Sequence, residues 1–288
     1  MNGNKNAVFI LLGQSNAVGH GLPMREEDRI RTPLRNVFGL DRKQNQSFSN
    51  TELVWSGYTS AGMNLAEEQD DTYSIANCLA ALWQGEIDGG NPRHLPDLCI
   101  VQIAIGAQGV SAPYMWYPDR PEKLVPGPLG TVDISLFPFC THVFGLLEES
   151  FARLGETYEI LGLHWRGGEE DVLQKPEDLR RDLEPIYKRI FGTFNRLLGD
   201  PPTVLHRIVC EEAPAAVGPG LENLRYIDSV FDHLGEHFSN VTVFDPRTAP
   251  QFLPEAHGNG LFCPDMVHFT PEVNRWIAQT ILDGYADV

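Results

Sequence analysis

Short apolar runs alternate with longer helical patterns along this chain, and this alternation constrains the fold more than any other feature. The runs are apolar on both faces, which is typical of parallel strands covered on both sides; they span residues 7–12, 98–105, 159–165, 204–210 and 241–244. Helical patterns span residues 73–83, 137–154, 179–198, 221–238 and 271–285. The alternation predicts an α/β fold: a three-layer α/β/α sandwich around a mainly parallel, flavodoxin-like sheet.

The 288 residues are enough for one large α/β domain, and no repeat or linker divides them, so we predict one domain over residues 1–288. Two stretches, residues 19–71 and 112–130, do not fit regular elements. Both follow strand ends, where open α/β sheets place their ligand crevice. We therefore expect these two loops to shape a substrate site.

Charge and cysteine content exclude several classes of function. Lys plus Arg number 22 and Asp plus Glu number 39, for a net charge of −17, which disfavours nucleic acid and anionic membranes as partners. The five cysteines form no CxxC pair and the histidines show no ligand spacing with one another, so the sequence signals no metal site. The first apolar run is too short for a signal peptide. The chain as written is expected to be cytoplasmic, or secreted or periplasmic if a signal was removed.

A serine follows the first predicted strand in the sequence Gly13-Gln14-Ser15-Asn16. A catalytic hydroxyl needs exposure on a sharp turn, an imidazole nearby and donors for the developing oxyanion. A strand that runs into a glycine and then a helix start meets the first condition. The same four residues would also suit a serine that caps a helix after a strand.

The second half of a catalytic group lies near the C-terminus. Asp265 and His268 are three residues apart in a loop just before the last helical pattern. This spacing lets the carboxylate reach Nδ1 of His268, so that Nε2 is available to take a proton from Ser15. The alternative is a loop hydrogen bond with no further role.

Together these motifs resemble the SGNH hydrolase superfamily. Gly13-Gln14-Ser15-Asn16 in the first strand–loop unit and Asp265-x-x-His268 near the end are similar to the carbohydrate esterases of family six and the sialate O-acetylesterase-like domains. The resemblance implies that Ser15 is the nucleophile, that His268 is the general base and that Asp265 orients it. Gln14 and Asn16 are then expected in the oxyanion and substrate site.

Two further motifs correspond to the oxyanion turns of that family. Gly106 follows the second strand, where the resemblance implies a backbone N–H that binds the oxyanion. The third block resembles Trp-x-Gln-Gly-Glu-x-Asp, but here Gly167 stands where glutamine is expected, after Trp165 and Arg166. The Gly167 amide, a water or Arg166 would have to replace the missing donor, or the protein is a weak or inactive relative.

Other candidates fit less well. Ser111 lacks the final glycine of a nucleophile elbow. The acidic residues 169–171 are adjacent and suit loop support better than a glycosidase pair. Trp116, in an aromatic loop after the second strand, would stack on a sugar or fold onto the core.

The function implied by the resemblance is removal of O-acetyl groups from a carbohydrate by a Ser-His-Asp acyl-enzyme mechanism, with no metal and no organic cofactor. The expected partner is an acetylated glycan or sugar; the sequence defines neither the glycan nor the oligomeric state. The alternatives are a weakly active or inactive carbohydrate-binding relative, and a lipase or thioesterase of the same fold.

Overall fold

A computed structural model describes residues 5–68, 72–126, 132–208, 220–252, 260–265 and 267–286. Its strands are β1 Lys5–Gly13, β2 Val37–Leu40, β3 Trp55–Gly57, β4 Leu98–Ala104, β5 Leu124–Pro126, β6 Val132–Ile134, β7 Thr157–Arg166, β8 Thr203–His206 and β9 Val241–Phe244. Its α-helices are α1 Ser15–Val18, α2 Arg42–Asn45, α3 Ile75–Asp88, α4 Leu136–Leu154, α5 Pro176–Leu198, α6 Leu221–His237 and α7 Pro271–Ala286.

Seven strands form one sheet in the order β3-β2-β4-β1-β7-β8-β9. Every pairing in it is parallel except that of β2 with β3. The five predicted strands thus have the flavodoxin-like order 2-1-3-4-5, which confirms the predicted fold class. Strand β1 lies between β4 and β7, and its last residue Gly13 is opposite both Ala104 and Arg166. The carboxyl ends of these three strands therefore meet at one edge of the sheet.

Strand β1 supplies apolar side chains to a core on each face of the sheet. Val8, Ile10 and Leu12 belong to the core beneath α4, α5 and α6. Phe9 and Leu11 belong to the second core, beneath α3 and α7. All five side chains are fully buried, and burial of each contributes about 1.5–3 kcal/mol. The three layers follow from this two-sided burial. The prediction that residues 1–288 form one domain stays a prediction.

The prediction that residues 19–71 and 112–130 contain no regular elements was wrong. The first stretch holds β2 and β3 at the edge of the main sheet, and the second contributes β5 to a hairpin with β6. These strands are three or four residues long, and β2 contains Gly39, so their apolar signal is short and interrupted. A Cβ at Gly39 would lie 2.8 Å from Sδ of Met63, so the glycine allows that side chain to pack against the strand.

Helix α5 is confirmed at its predicted end and starts three residues earlier than predicted. Gly199, with φ of 73°, stops it after Leu198. Pro176 occupies the first turn, where its missing N–H is not needed. The predicted strand 204–210 ends at His206, and its last two residues lie outside the described part of the chain.

Over the described ranges of the chain, no helix combines the length and apolar character needed to cross a bilayer. Within those same ranges, no three His, Cys, Asp or Glu side chains are grouped as metal ligands would be.

Candidate active site

Two glycines fix the turn that carries Ser15. Gly13 has φ of 137°, and a Cβ there would lie only 1.9 Å from the carbonyl oxygen of Arg166. This close approach allows Gln14 N to donate to the same oxygen at 2.8 Å. Gly19, with φ of 93°, ends the single turn of α1. Ser15 therefore begins α1 at the carboxyl edge of the sheet, with 7% of its surface exposed.

Asp265 and His268 form the predicted pair. Nδ1 of His268 lies 2.8 Å from Oδ2 of Asp265, and Oδ1 accepts hydrogen bonds from the Val267 and His268 amides, both at 3.0 Å. Burial alone would raise the pKa of Asp265, but these hydrogen bonds hold that pKa below its usual value. An ionised Asp265 fixes the proton of His268 on Nδ1, so Nε2 is the nitrogen that can accept one.

Asn16 connects this pair to the serine turn. Its Nδ2 donates to Val267 O at 3.3 Å, and its Oδ1 accepts from Phe269 N at 3.1 Å. Because Asn16 follows Ser15 directly and holds the residues on both sides of His268, the Asp265–His268 pair lies against the Ser15 turn. Nδ2 of Asn16 also donates to Glu169 Oε1 at 3.0 Å. The side chain of Asn16 is buried and tethers two loops, and its predicted place in the substrate site stays a prediction.

Arg166 lies behind α1, and its predicted part in the oxyanion and substrate site stays a prediction. Its side chain is 2% exposed and donates to Asn16 O at 3.1 Å and to Asn274 Oδ1 at 2.8 Å. The guanidinium also lies 4.5 Å from the ring centre of Phe269. Burial lowers its pKa to about 9 although Glu169 opposes this, so it remains charged at neutral pH. Arg166 joins β7, α1 and α7 beneath the nucleophile.

Of the two expectations for Trp116, stacking on a sugar or folding onto the core, the structure shows the ring in the core. It is fully buried, its ring packs edge-on against Trp165 at 4.8 Å, and its Nε1 donates to Gly13 O at 3.1 Å. Gln14 is 3% exposed, and its Oε1 accepts from the Gly168 and Glu170 amides, both at 3.4 Å. Both side chains brace the turn before Ser15.

The loop after β7 is joined to the loop after β4 by Asp171. This fully buried carboxylate accepts from Val110 N at 2.9 Å and Ser111 N at 3.1 Å, and burial raises its pKa to about 6. A Cβ at Gly109 would lie 2.5 Å from Asp171 Oδ1, so the glycine permits this contact. The expectation that the acidic residues support a loop fits both Asp171 and Glu169.

Gly167 is buried after β7, and its carbonyl accepts from Trp165 Nε1 at 3.1 Å. A Cβ at this position would lie 3.4 Å from the Trp165 ring and 3.5 Å from Gly13 Cα, which are ordinary contacts. Its φ lies outside the left-handed region. The structure thus has room for the start of a side chain where the related motif carries glutamine.

The Gly106 amide, predicted to bind the oxyanion, donates to Glu67 Oε2 at 2.7 Å. The other oxygen, Oε1, lies 2.7 Å from Nε2 of His20. The His20 ring in turn meets the His268 ring edge-on, with 5.7 Å between centroids. Sequence reasoning missed Glu67 and His20. His20 lies only five residues after Ser15, and this closeness could have pointed to it, whereas Glu67 lies in a polar loop with no motif nearby.

No protein-family model matches the sequence, and no curated protein matches it. Solved structures do resemble it. A protein from Arabidopsis thaliana superposes with a TM-score of 0.60 at 17% identity, covering 98% of each chain. NanS superposes with a TM-score of 0.57 at 15% identity over 100% of both chains. At these identities the likeness establishes the fold alone.

A third structure is a carbohydrate esterase family 2 enzyme with a carbohydrate-binding domain, from Corynascus thermopiles (Myceliophthora fergusii). It has a TM-score of 0.46 at 13% identity, covering 100% of this chain and 67% of that one. This score is too low to add to the argument.

Proposed function

We propose that the protein is a serine esterase that removes O-acetyl groups from a carbohydrate, with Ser15, His268 and Asp265 as its catalytic triad. The observation that carries the proposal is the contact of Asn16 with Val267 and Phe269, which holds the Asp265–His268 pair against the Ser15 turn. The fold shared with NanS and the Arabidopsis protein is compatible with it.

In this mechanism Ser15 Oγ attacks the ester carbonyl while Nε2 of His268 takes its proton. Asp265 stabilises the imidazolium that forms and stays ionised, which its lowered pKa favours. His268 then gives the proton to the leaving sugar oxygen, and an acetyl-enzyme remains on Ser15. Water, activated by His268, releases acetate and restores the serine.

The oxyanion requires donors at the start of α1 and on the turn after β4. The backbone amides of Ser15 and Gly106 are the proposed donors, and Gly167 adds no side chain. Loss of one such donor typically lowers turnover about a hundredfold to a thousandfold. We therefore expect slow turnover compared with an esterase that carries the glutamine.

The proposed function is tested by acetate release from a panel of acetylated sugars and glycans, with Ser15→Ala as the matched blank. We expect acetate release that depends on Ser15, and p-nitrophenyl acetate to be hydrolysed faster than long-chain p-nitrophenyl esters. Preference for long acyl chains would assign the protein to the lipase or thioesterase alternative.

The second candidate is a carbohydrate-binding relative without activity, which the glycine at 167 and the occupied Gly106 amide favour. In that case the panel would bind without acetate release, and wild type and Ser15→Ala would give equal rates.

Replacing Gly167 by glutamine is expected to raise kcat by about tenfold to a hundredfold, because it restores an amide donor where the backbone leaves room for a Cβ. Steady-state kinetics on p-nitrophenyl acetate measure this. Gly167→Met is the control, since methionine has a similar shape and no amide. Equal rates in the two folded variants would mean that this position does not serve the oxyanion.

A further inference from the structure

A carboxylate belonging to the protein lies on the amide that is proposed to bind the oxyanion. Glu67 Oε2 accepts from Gly106 N at 2.7 Å, a distance typical of a strong, charge-assisted hydrogen bond. The oxygen of a tetrahedral intermediate would need the same N–H at about 2.7–3.1 Å. Glu67 and an oxyanion on Gly106 therefore exclude each other.

His20 holds Glu67 in this position. Its Nε2 lies 2.7 Å from Oε1, so each oxygen of the carboxylate has a partner. His20 itself is fixed near the nucleophile, because its backbone N–H donates to Ser15 O at 3.0 Å. A Cβ on Gly106 would lie 2.8 Å from Cε1 of His20, so the glycine admits the ring.

The cluster of Glu67, His20 and Gly106 lies beside His268, the proposed general base. The His20 and His268 rings are 5.7 Å apart, edge to face. The side chains of Glu67, His20 and His268 keep 22%, 31% and 22% of their surface exposed. Glu67 can therefore leave Gly106 by side-chain rotation toward solvent, without any opening of the core.

We propose that Glu67 is an internal competitor for the oxyanion site, held on the Gly106 amide by His20 and displaced by the acyl group of the substrate. The inference rests on the proposed function in taking Gly106 as an oxyanion donor. Apparent affinity falls in proportion to the fraction of molecules whose site is free. Removing Glu67 should therefore strengthen binding of small acyl groups and of the acetate product.

The test compares wild type, Glu67→Ala and Glu68→Ala. The last variant is a matched control, because Glu68 is a neighbouring carboxylate that faces Arg42 at 3.7 Å rather than Gly106. For Glu67→Ala we expect kcat/KM on p-nitrophenyl acetate to rise about tenfold, mostly through KM, if Glu67 occupies the site in about nine molecules of ten. Glu68→Ala should behave as wild type.

A second measurement needs no catalysis. Sodium acetate is titrated into each ¹⁵N-labelled protein while the Gly106 amide signal is followed, and we expect acetate to bind about tenfold more tightly in Glu67→Ala. A folded Glu67→Ala with lower kcat/KM and unchanged acetate affinity would overturn the inference and make Glu67 a support for the turn. If no protein has Ser15-dependent activity, the proposed function fails, and the titration still decides the role of Glu67.

Discussion

Replacing Ser15 by alanine is expected to lower acetyl-ester hydrolysis by at least about a thousandfold, because the proposed mechanism forms its acyl-enzyme on Ser15. The fold should survive, since Ser15 is a small, largely buried residue in the first turn of α1, and the smaller alanine suits that turn. The measurement is kcat/KM on p-nitrophenyl acetate together with acetate release from acetylated sugars. Circular dichroism and thermal unfolding confirm that the variant is folded.

The matched control for Ser15 is Ser111, the serine in the loop after β4. Its backbone N–H donates to Asp171, and this bond persists in Ser111→Ala. We expect that variant to keep activity within about tenfold of wild type. A large loss of activity in Ser111→Ala together with normal activity in Ser15→Ala would identify Ser111, rather than Ser15, as the nucleophile.

Replacing Asp265 by asparagine is expected to lower kcat by about a thousandfold to ten-thousandfold. Asparagine can still accept the Val267 and His268 amides with its one oxygen, so the loop should keep its shape. Its NH₂ group would, however, face Nδ1 of His268 and move the imidazole proton to Nε2, where the base must be free. The loss should appear in kcat, because proton transfer rather than ester binding is impaired.

The control for Asp265 is another histidine–carboxylate pair. Glu184 Oε2 lies 3.3 Å from Nδ1 of His233 at the protein surface. Glu184 belongs to helix α5 and not to the loops that follow β1, β4 and β7. Glu184→Gln should leave the kinetics unchanged. If Asp265→Asn kept more than about a tenth of wild-type activity, the Asp265 carboxylate would only hydrogen-bond the loop and would have no catalytic role.

The central strands could be predicted from sequence because they are buried on both faces. Each of the five predicted runs overlaps a strand of the sheet, and the alternation with helices gave the correct parallel topology. Strands β2 and β3, the last two at one side of the sheet, lack this signal, since they are only four and three residues long. Their pairing depends on contacts such as Met63 against Gly39, which no local pattern indicates.

The residues of the candidate site that could be predicted are those whose side-chain type indicates a chemical role. Ser15, Asp265 and His268 are recognisable as reactive groups, and the structure brings the Asp265–His268 pair against the Ser15 turn. Their catalytic roles stay a prediction. Asn16 and Arg166, expected in the oxyanion and substrate site, are buried and hydrogen-bonded to other segments, and the expectation stays a prediction. Their partners are about 110 to 250 residues away, so only tertiary packing decides whether such a polar side chain faces substrate or core.

Glu67 shows a different limit of sequence reasoning. A single glutamate in a polar loop stands at no characteristic distance from a motif. The importance of Glu67 is seen only from its contacts with the Gly106 amide and His20. In the proposed mechanism, a substrate must displace Glu67 before the Gly106 amide can bind the oxyanion. Two positions of the proposed oxyanion hole limit the chemistry: Gly167 has no side-chain donor, and the Gly106 amide is occupied by Glu67.

The most direct measurement of the role of Ser15 is covalent labelling of the folded wild-type protein with a fluorophosphonate, followed by peptide mass spectrometry. Such reagents react with a serine whose hydroxyl is activated by a neighbouring base. We predict one added label on the peptide that contains Ser15, no such label in Ser15→Ala and strongly reduced labelling in His268→Ala. Labelling of Ser111 instead, or ester hydrolysis that continues while Ser15 stays unlabelled, would contradict the assignment of Ser15 as the nucleophile.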